Sequence, residues 1–131
     1  MTPARSQRGS FIKYHHEELD MYVGNVFDLT PDHLGPVDAI YDRAALVALP
    51  EEMRQRYTRN LRALNGTDPQ LLICFSYEQA AMPGPPFSIT EAEVHAHYAA
   101  SYAIENLETK SLSLKGQVPA KETAWFLSPH P

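Results

Sequence analysis

Short apolar runs alternate along this chain with segments that have the apolar spacing of helices. Residues Phe11 to Tyr14 and Leu19 to Val23 alternate well enough to predict two short strands or one hairpin. Val37 to Tyr41 and Leu71 to Phe75 are apolar on both faces, which is typical of strands buried inside a parallel sheet. These runs are expected to supply the first strands of the fold.

Helix signals fill the stretches between these strands. A helix is expected to begin near Ala44, and Pro50 interrupts it. Glu51 and Glu52 then provide the acidic first turn of a second helix, which runs to about Leu64. Apolar residues at i, i+4, i+8 and i+11 give this second helix one buried stripe, formed by Met53, Tyr57, Leu61 and Leu64.

A third helix carries its own capping signal. Thr90 followed by Glu93 matches a capping box, and Glu91 adds a charge that complements the amino terminus of the helix. The helix is expected to run to about Tyr98 or Ala100.

Two closing strands are predicted near the end of the sequence. They cover Tyr102 to Leu107 and Glu122 to Leu127, and they are joined through Gly116 and Pro119. Because strands alternate with helices, the chain is expected to have an α/β fold with a largely parallel, doubly wound (Rossmann-like) sheet.

Composition and charge narrow the class of protein. Of the 131 residues, 44% are hydrophobic and 21% are charged, so we interpret residues 1–131 as a single domain with its own core, and we expect residues 1–10 to be disordered. The net charge of -5 argues against a nucleic-acid partner. A solvated helix face is favoured over a phosphate-binding stripe for four arginines of the second helix: Arg54, Arg56, Arg59 and Arg62.

Cysteines and histidines give no metal-ligand pattern. The single cysteine, Cys74, cannot form an internal disulfide and is interpreted as a core residue of its strand. The pairs His15-His16 and His95-His97 are interpreted as surface histidines. The sequence shows neither the apolar core of a secretory signal nor a run that could span a bilayer, so we expect a cytoplasmic protein without a membrane partner.

Polar side chains follow the two buried strands directly. Asp42 and Arg43 come after the first, and Ser76 and Tyr77 after the second. In open α/β sheets the ligand lies outside the carboxyl ends of the strands, so these side chains are candidates for a binding site. The segment Met82 to Phe87 contains three prolines, which predicts a stiff loop rather than a helix or ladder strand.

Four segments of the sequence, taken together in their order and spacing, match the pattern of a known family. They are LDMYVGNVFDLT, VDAIYDRAALVALP, LLICFSYEQ and MPGPPFSITEAEV. They resemble the thiopurine S-methyltransferase family of S-adenosylmethionine-dependent methyltransferases. The match covers roughly Leu19 to Leu127, and its DRAALVAL and PGPPF elements are specific to the family. The resemblance implies that S-adenosyl-L-methionine is the cofactor and that a small thiol-type molecule is the substrate.

The resemblance also assigns residues to the cofactor. It places Asn25 and Val26 against the adenine, where a side-chain amide oxygen accepts from the exocyclic amine and the Val26 N–H donates to a ring nitrogen. Bacterial relatives often carry Asp where this chain has Asn25, so we expect weakened adenine recognition. Arg43 matches a family position near the mouth shared by cofactor and substrate, where its guanidinium can hold an anionic group.

On the substrate side, the resemblance implies a wall made by polar groups and by the proline loop. We expect Asp42 to orient Arg43; the alternative is that the two form an ion pair that caps the following helix. The expected substrate-binding residues are Asp42, Arg43, Ser76, Tyr77, Pro85, Pro86 and Phe87. The proline loop could instead only pack against the edge of the sheet. Methyl transfer to sulfur needs alignment more than acid–base groups, so no catalytic residue is assigned.

Family members begin with an amphipathic segment that bears tryptophans, and this segment and two of the family's strands are not found in this sequence. The two strands are the one with a glycine-containing turn and the following one with its acidic residue for the ribose. The chain therefore resembles a carboxyl-terminal portion in which the first two strands of the family fold are missing. Two unpaired inner strand edges would result, and such edges invite self-association. The sequence supports two hypotheses: an S-methyltransferase of a small thiol, selenium or tellurium compound, or a noncatalytic remnant that associates through exposed sheet edges.

Overall fold

The computed structural model describes residues 2–130, which form two compact units, the first ending at Pro36 and the second beginning at Val37. The first unit is a three-stranded antiparallel sheet in the order β1-β2-β3, followed by a 3₁₀ turn and a single helical turn. Its elements are β1 (Ala4–Arg8), β2 (Phe11–His16), β3 (Leu19–Val23), the 3₁₀ turn Val26–Asp28 and α1 (Pro31–Leu34).

Phe11 forms the centre of the first unit. Its side chain is 2% exposed, and its ring meets the His33 ring edge-on with 5.0 Å between ring centroids. The hydroxyl of Tyr22 donates to the backbone oxygen of His33 at 2.6 Å. The predicted hairpin is confirmed, with the bounds of β3 as expected, whereas residues 4–8 form strand β1 where the sequence predicts disorder.

The second unit is a four-stranded sheet with helices. Its elements are β4 (Ile40–Arg43), the 3₁₀ turn Leu46–Ala48, α2 (Glu51–Asn65), β5 (Gln70–Ser76), the 3₁₀ turn Gln79–Ala81, α3 (Glu91–Tyr98), β6 (Tyr102–Leu114) and β7 (Val118–Pro129). The strand order is β4-β5-β7-β6. This arrangement confirms the α/β class.

Parallel pairing is confined to β4 and β5, whereas the sequence predicts a largely parallel sheet. The reason is the long β6–β7 hairpin. Its turn consists of three residues, with Lys115 and Gly116 at positive φ, and so short a connection joins only antiparallel strands. Pro119 lies within β7 rather than in the connection. Both strands extend well beyond the predicted cores.

The helix expected near Ala44 is also absent from the second unit. Ala44 has a φ of 74°, and only the 3₁₀ turn Leu46–Ala48 follows before Pro50 starts α2. An α-helix cannot pass through a left-handed residue, and so the chain turns sharply after β4.

Both long helices pack on one face of the four-stranded sheet, which we call the helix face. Asp42, Leu72 and Trp125 stand in register on this face. The Tyr57 hydroxyl of α2 reaches Asp42, and the His95 ring of α3 meets Trp125. On the opposite face, which we call the open face, Tyr41 is 63% exposed. The core of this unit therefore lies on one side of the sheet.

Arg54 joins the two helices from a buried position. Its guanidinium donates to both carboxylate oxygens of Glu93, at 2.6 and 3.1 Å, and to the backbone oxygen of Leu49 at 2.8 Å. His97 Nε2 lies 2.9 Å from the same carboxylate. We call Arg54, Glu93 and His97 the Arg54 clasp. The predicted solvated face is therefore wrong for Arg54, which is 5% exposed, and the surface position predicted for His97 is wrong for its largely buried side chain.

The clasp also explains the cap of α3. The Thr90 hydroxyl accepts from the backbone N–H of Glu93 at 3.1 Å, as the capping signal predicts. The Glu93 carboxylate is engaged by Arg54 and His97. The predicted buried stripe of α2 is confirmed for Tyr57, Leu61 and Leu64, while Met53 is half-buried. No helix in residues 2–130 is long and apolar enough to cross a membrane.

We predict that Arg54→Met destabilises the second unit by about 2 to 3 kcal/mol, because Glu93 loses its bidentate partner in a partly buried place. The measurement is urea denaturation followed by the fluorescence of Trp125. Arg56→Met, which changes an exposed arginine of the same helix, is the matched control and should shift stability by less than about 0.5 kcal/mol. Equal losses in the two variants would show that the Arg54 clasp does not stabilise the fold.

Candidate functional site

The candidate site of the second unit lies at the carboxyl ends of β4 and β5. These strands are parallel neighbours, with Arg43 opposite Ile73, and β5 continues to Ser76. The segments that follow them meet, because the backbone N–H of Phe87 donates to the oxygen of Val47 at 2.7 Å. One edge of the sheet therefore carries the polar strand ends and the proline loop together, as expected for a ligand site in an α/β fold.

Asp42 and Arg43 point to opposite faces of the sheet, because successive residues of a strand alternate. Asp42 is 3% exposed on the helix face, where it accepts from the Tyr57 hydroxyl at 2.8 Å and from the backbone N–H of Leu46 at 3.4 Å. The expectation that Asp42 orients Arg43 is therefore wrong, and no ion pair between them occurs in the part of the chain described. The alternative interpretation is also wrong, because no helix follows directly and Asp42 accepts only a long hydrogen bond from Leu46 in the 3₁₀ turn.

Burial raises the pKa of Asp42 above its ordinary value, and the hydrogen bonds from Tyr57 and Leu46 oppose this shift. With its carboxyl group inside the core, Asp42 presents no exposed carboxylate to a substrate. It instead fixes the backbone at the end of β4, where Ala44 is held at a left-handed φ that costs roughly 1 to 3 kcal/mol. We therefore interpret Asp42 as a positioning residue.

Arg43 lies on the open face in a concavity of about 280 Å³. Across the sheet from it are two acidic groups and one basic group, Glu108, Glu122 and Lys110. Within residues 2–130 no hydrogen bond or ion pair engages the Arg43 guanidinium. All five of its donors are thus available to an anionic group.

The proline loop is held by hydrogen bonds to the residues just after β5. The hydroxyl of Tyr77 donates to the backbone oxygen of Pro86 at 2.6 Å. Ser88 Oγ donates to the oxygen of Tyr77 at 2.8 Å and accepts from its N–H at 2.9 Å. Met82 to Phe87 has no helix or strand, as predicted, and its position is fixed from both ends.

Two residues that support this loop were not identified from the sequence: Gln79 in the preceding 3₁₀ turn and Gly84 in the loop itself. Gln79 donates to the backbone oxygen of Met82 at 2.8 Å and accepts from the N–H of Ser88 at 2.9 Å. At Gly84, which has a φ of 83°, a Cβ atom would lie 2.7 Å from the Phe87 ring. The glycine could be recognised from the PGPP motif, but nothing in the sequence distinguishes Gln79 from any other turn residue.

The expected substrate-side residues do not share one surface. Ser76 and Tyr77 line a concavity of about 450 Å³ beside the β6–β7 hairpin, and Arg43 does not contribute to it. Pro85 is exposed, while Pro86 and Phe87 are half-buried. The Phe87 ring lies 5.7 Å from the guanidinium carbon of Arg54, which connects the loop to the Arg54 clasp.

The expected adenine-binding residues belong to the first unit. Asn25 caps the 3₁₀ turn Val26–Asp28, with its side-chain oxygen accepting from the N–H of Phe27 at 3.0 Å. Both Asn25 and Val26 are exposed. An amide oxygen has two lone pairs, so Asn25 keeps acceptor capacity beyond its capping bond.

Cys74 is excluded as a nucleophile by its surroundings. The side chain is 1% exposed, and burial raises the pKa of its thiol far above the ordinary value. This confirms the interpretation of Cys74 as a core residue.

The parallel strand pair and the helices place this unit in the broad class of α/β folds, whose ligands bind outside the carboxyl ends of the parallel strands. Within that class the sequence match is specific, because the family description thiopurine S-methyltransferase (TPMT) fits residues 1–126. The chain belongs to the thiopurine S-methyltransferase family.

Individual relatives support this membership. The thiopurine S-methyltransferase of Xanthobacter autotrophicus is 46% identical over 129 residues, which are 97% of this chain and 61% of the relative. That of Gluconobacter oxydans is 43% identical over 133 residues, covering 100% of this chain and 60% of the relative. The chain thus spans about three fifths of the length of these relatives.

One solved structure also aligns with this chain. It is a Burkholderia thailandensis 1,6-didemethyltoxoflavin-N1-methyltransferase with bound 1,6-didemethyltoxoflavin and S-adenosylhomocysteine. The alignment covers 79% of this chain and 48% of the other, with a TM-score of 0.47 and 15% identity. A likeness this low identifies neither a fold nor a ligand.

We predict that Asp42→Asn becomes more stable relative to the wild type as the pH rises. The folded-state pKa of Asp42 is raised, so its contribution to stability is present below the ordinary value of 3.8 and declines as the pH rises toward the folded pKa. Asparagine does not titrate. Urea denaturation of both proteins from about pH 3.5 to about pH 7 measures the difference. A difference that is independent of pH would show that Asp42 does not titrate from a buried place.

Proposed function

We propose that this chain forms part of an S-adenosylmethionine-dependent S-methyltransferase that methylates a small thiol, or a selenium or tellurium compound. The observation that carries the proposal is the family match over residues 1–126. The strand-end site of the second unit supports it, because it offers an unpaired guanidinium and a rigid loop where α/β proteins bind ligands.

The chemistry requires little from the protein besides alignment. When bound, S-adenosylmethionine supplies a methyl group that its sulfonium already activates. Transfer forms a carbon–sulfur bond at the substrate and breaks one at the sulfonium, while the thiol proton leaves to solvent. Positioning and exclusion of water are then the tasks of the protein, which agrees with the absence of an assigned catalytic residue.

The exposed residues of the first unit fit the adenine of this cofactor. Asn25 has a free lone pair on its side-chain oxygen, which can accept from the exocyclic amine. Val26 follows it directly, and we assign its backbone to the ring, as the resemblance implies. Asn25 lacks the negative charge of an aspartate, so its hydrogen bond is weaker than a charge-assisted one.

In the second unit, Arg43 is the residue we assign to the mouth shared by cofactor and substrate. Its unpaired guanidinium can hold a carboxylate or orient an anionic thiolate. Pro85, Pro86 and Phe87 form a preorganised wall, which loses little entropy when an aromatic heterocycle packs on it. Ser76 and Tyr77 line a separate concavity, and we assign them to the substrate side because the family resemblance implies it, while the Tyr77 hydroxyl supports the loop itself.

A noncatalytic role is the second candidate, and one observation favours it. β3 and β4 lie at the edges of their sheets in the described residues, so each has a row of backbone groups that another strand could pair. A chain that only associated with a second copy through these edges would bind no cofactor.

Calorimetric titration with S-adenosylmethionine and S-adenosylhomocysteine distinguishes the two candidates. We expect binding in the micromolar range or tighter, and mass-spectrometric detection of a methylated product when a small aromatic thiol is added. Absence of heat at millimolar cofactor, together with a concentration-dependent dimer in sedimentation, would refute the enzyme and support the association.

We predict that Arg43→Gln lowers kcat/KM for an anionic thiol about ten- to hundredfold, because it removes a charge-assisted hydrogen bond of about 1.5 to 3 kcal/mol. A thiol without a second anionic group should lose less. Lys110→Gln is the matched control, since Lys110 lines the same concavity and has an exposed side chain. If Arg43→Gln lowers kcat/KM no more than Lys110→Gln does, and by the same factor for both thiols, Arg43 does not contact the substrate.

A further inference from the structure

A groove of about 310 Å³ runs between α2 and α3 in the second unit. No residue that we assign to the cofactor or the substrate lines it. Gln55, Arg59 and Arg62 line it from α2, and Glu93 and His97 from α3. Residues spaced by three, four and seven positions share one helix face, so the three α2 side chains project into the groove together.

The acidic group at the centre of the groove is already neutralised. The Glu93 carboxylate accepts both bonds of the Arg54 fork and also contacts His97 Nε2 at 2.9 Å. The remaining acidic lining residue, Glu51, precedes Arg59 by eight positions, which is about 12 Å along a helix. The end of the groove that contains Arg59 and Arg62 is therefore basic.

The two arginines differ in how they are held. Arg62 donates to the backbone oxygen of His97 at 2.6 Å, which fixes its guanidinium and leaves its other donors available. Arg59 is exposed, and it has neither a hydrogen bond nor an ion pair among residues 2–130. Side chains three positions apart on a helix are neighbours, so two positive charges share this end of the groove, and neither has an acidic partner within residues 2–130.

We propose that the Arg59–Arg62 end of this groove binds the phosphate group of a small molecule. A phosphate offers several oxygens and up to two negative charges, so both guanidinium forks can donate to it at once. The Gln55 amide supplies a further donor one turn earlier on α2. A carboxylate has two oxygens and one charge, so it would compensate only one of the two guanidinium charges.

The volume of the groove and the net charge of the chain restrict the ligand to a small molecule. The groove has the volume of a small-molecule site. A long polyanion such as a nucleic acid would meet the net charge of -5 and the exposed Glu51 and Glu52 of the same helix. Inorganic phosphate and a small phosphomonoester both fit the same chemistry.

Nuclear magnetic resonance of the arginine Nε–Hε groups tests the proposal. The probes are inorganic phosphate and glycerol 3-phosphate, each compared with sodium chloride at equal ionic strength. We expect saturable shifts of the Arg59 and Arg62 signals at millimolar probe, and the probe that binds tighter identifies the source of the phosphate. Shifts that grow linearly and match those in chloride would overturn the proposal.

Arg59→Gln is the decisive variant, because Arg59 is exposed and has no hydrogen bond or ion pair within residues 2–130 that the change would break. We expect it to weaken phosphate binding at least fivefold while leaving the urea midpoint unchanged. Arg56→Gln is the matched control on the same helix and should bind as the wild type does. Unchanged affinity in Arg59→Gln would refute the site, and this readout does not depend on methyl transfer.

Discussion

The second unit depends on one buried guanidinium. Arg54 binds the Glu93 carboxylate of α3, the backbone oxygen of Leu49 before α2, and the face of the Phe87 ring. A buried cation is tolerated only when its donors are satisfied, and here Glu93 and the Leu49 carbonyl accept them while the Phe87 ring lies 5.7 Å from the guanidinium carbon. The bonds that compensate the charge therefore join α2 to α3, and the ring contact connects the proline loop to the same guanidinium.

Successive side chains of β4 point to opposite faces of the sheet, so Asp42 and Arg43 have different roles. Asp42 points into the core and holds the turn after the strand through Tyr57 and Leu46, whereas Arg43 points to the open face with its donors unused. A shift of one residue in this strand would exchange the two faces, placing an uncompensated guanidinium in the core and the carboxylate in solvent. The buried carboxylate thus secures the register that exposes the arginine.

Rigidity at the candidate site arises from residues that do not themselves face a ligand. Gln79 and Ser88 hold the ends of the loop by hydrogen bonds to Met82 and Tyr77. Gly84 has no Cβ, which allows the Phe87 ring to lie against the backbone. For the proposed methyl transfer, alignment of donor and acceptor is the main requirement. A loop fixed in advance meets that requirement at little entropic cost.

The sequence by itself determined the α/β class, the hairpin with β3, the buried stripe of α2, the cap at Thr90 and the irregular proline loop, because each depends on local periodicity or on neighbouring residues. It also identified the family, because the order and spacing of the matching segments can be read directly from the sequence. Tertiary structure decided the burial of Arg54, whose partner lies 39 positions away, and the opposite directions of Asp42 and Arg43. It also decided the left-handed Ala44 and the support given by Gln79. These features depend on groups that meet only after folding, and a pattern along the chain carries no information about which distant partner satisfies a buried polar atom.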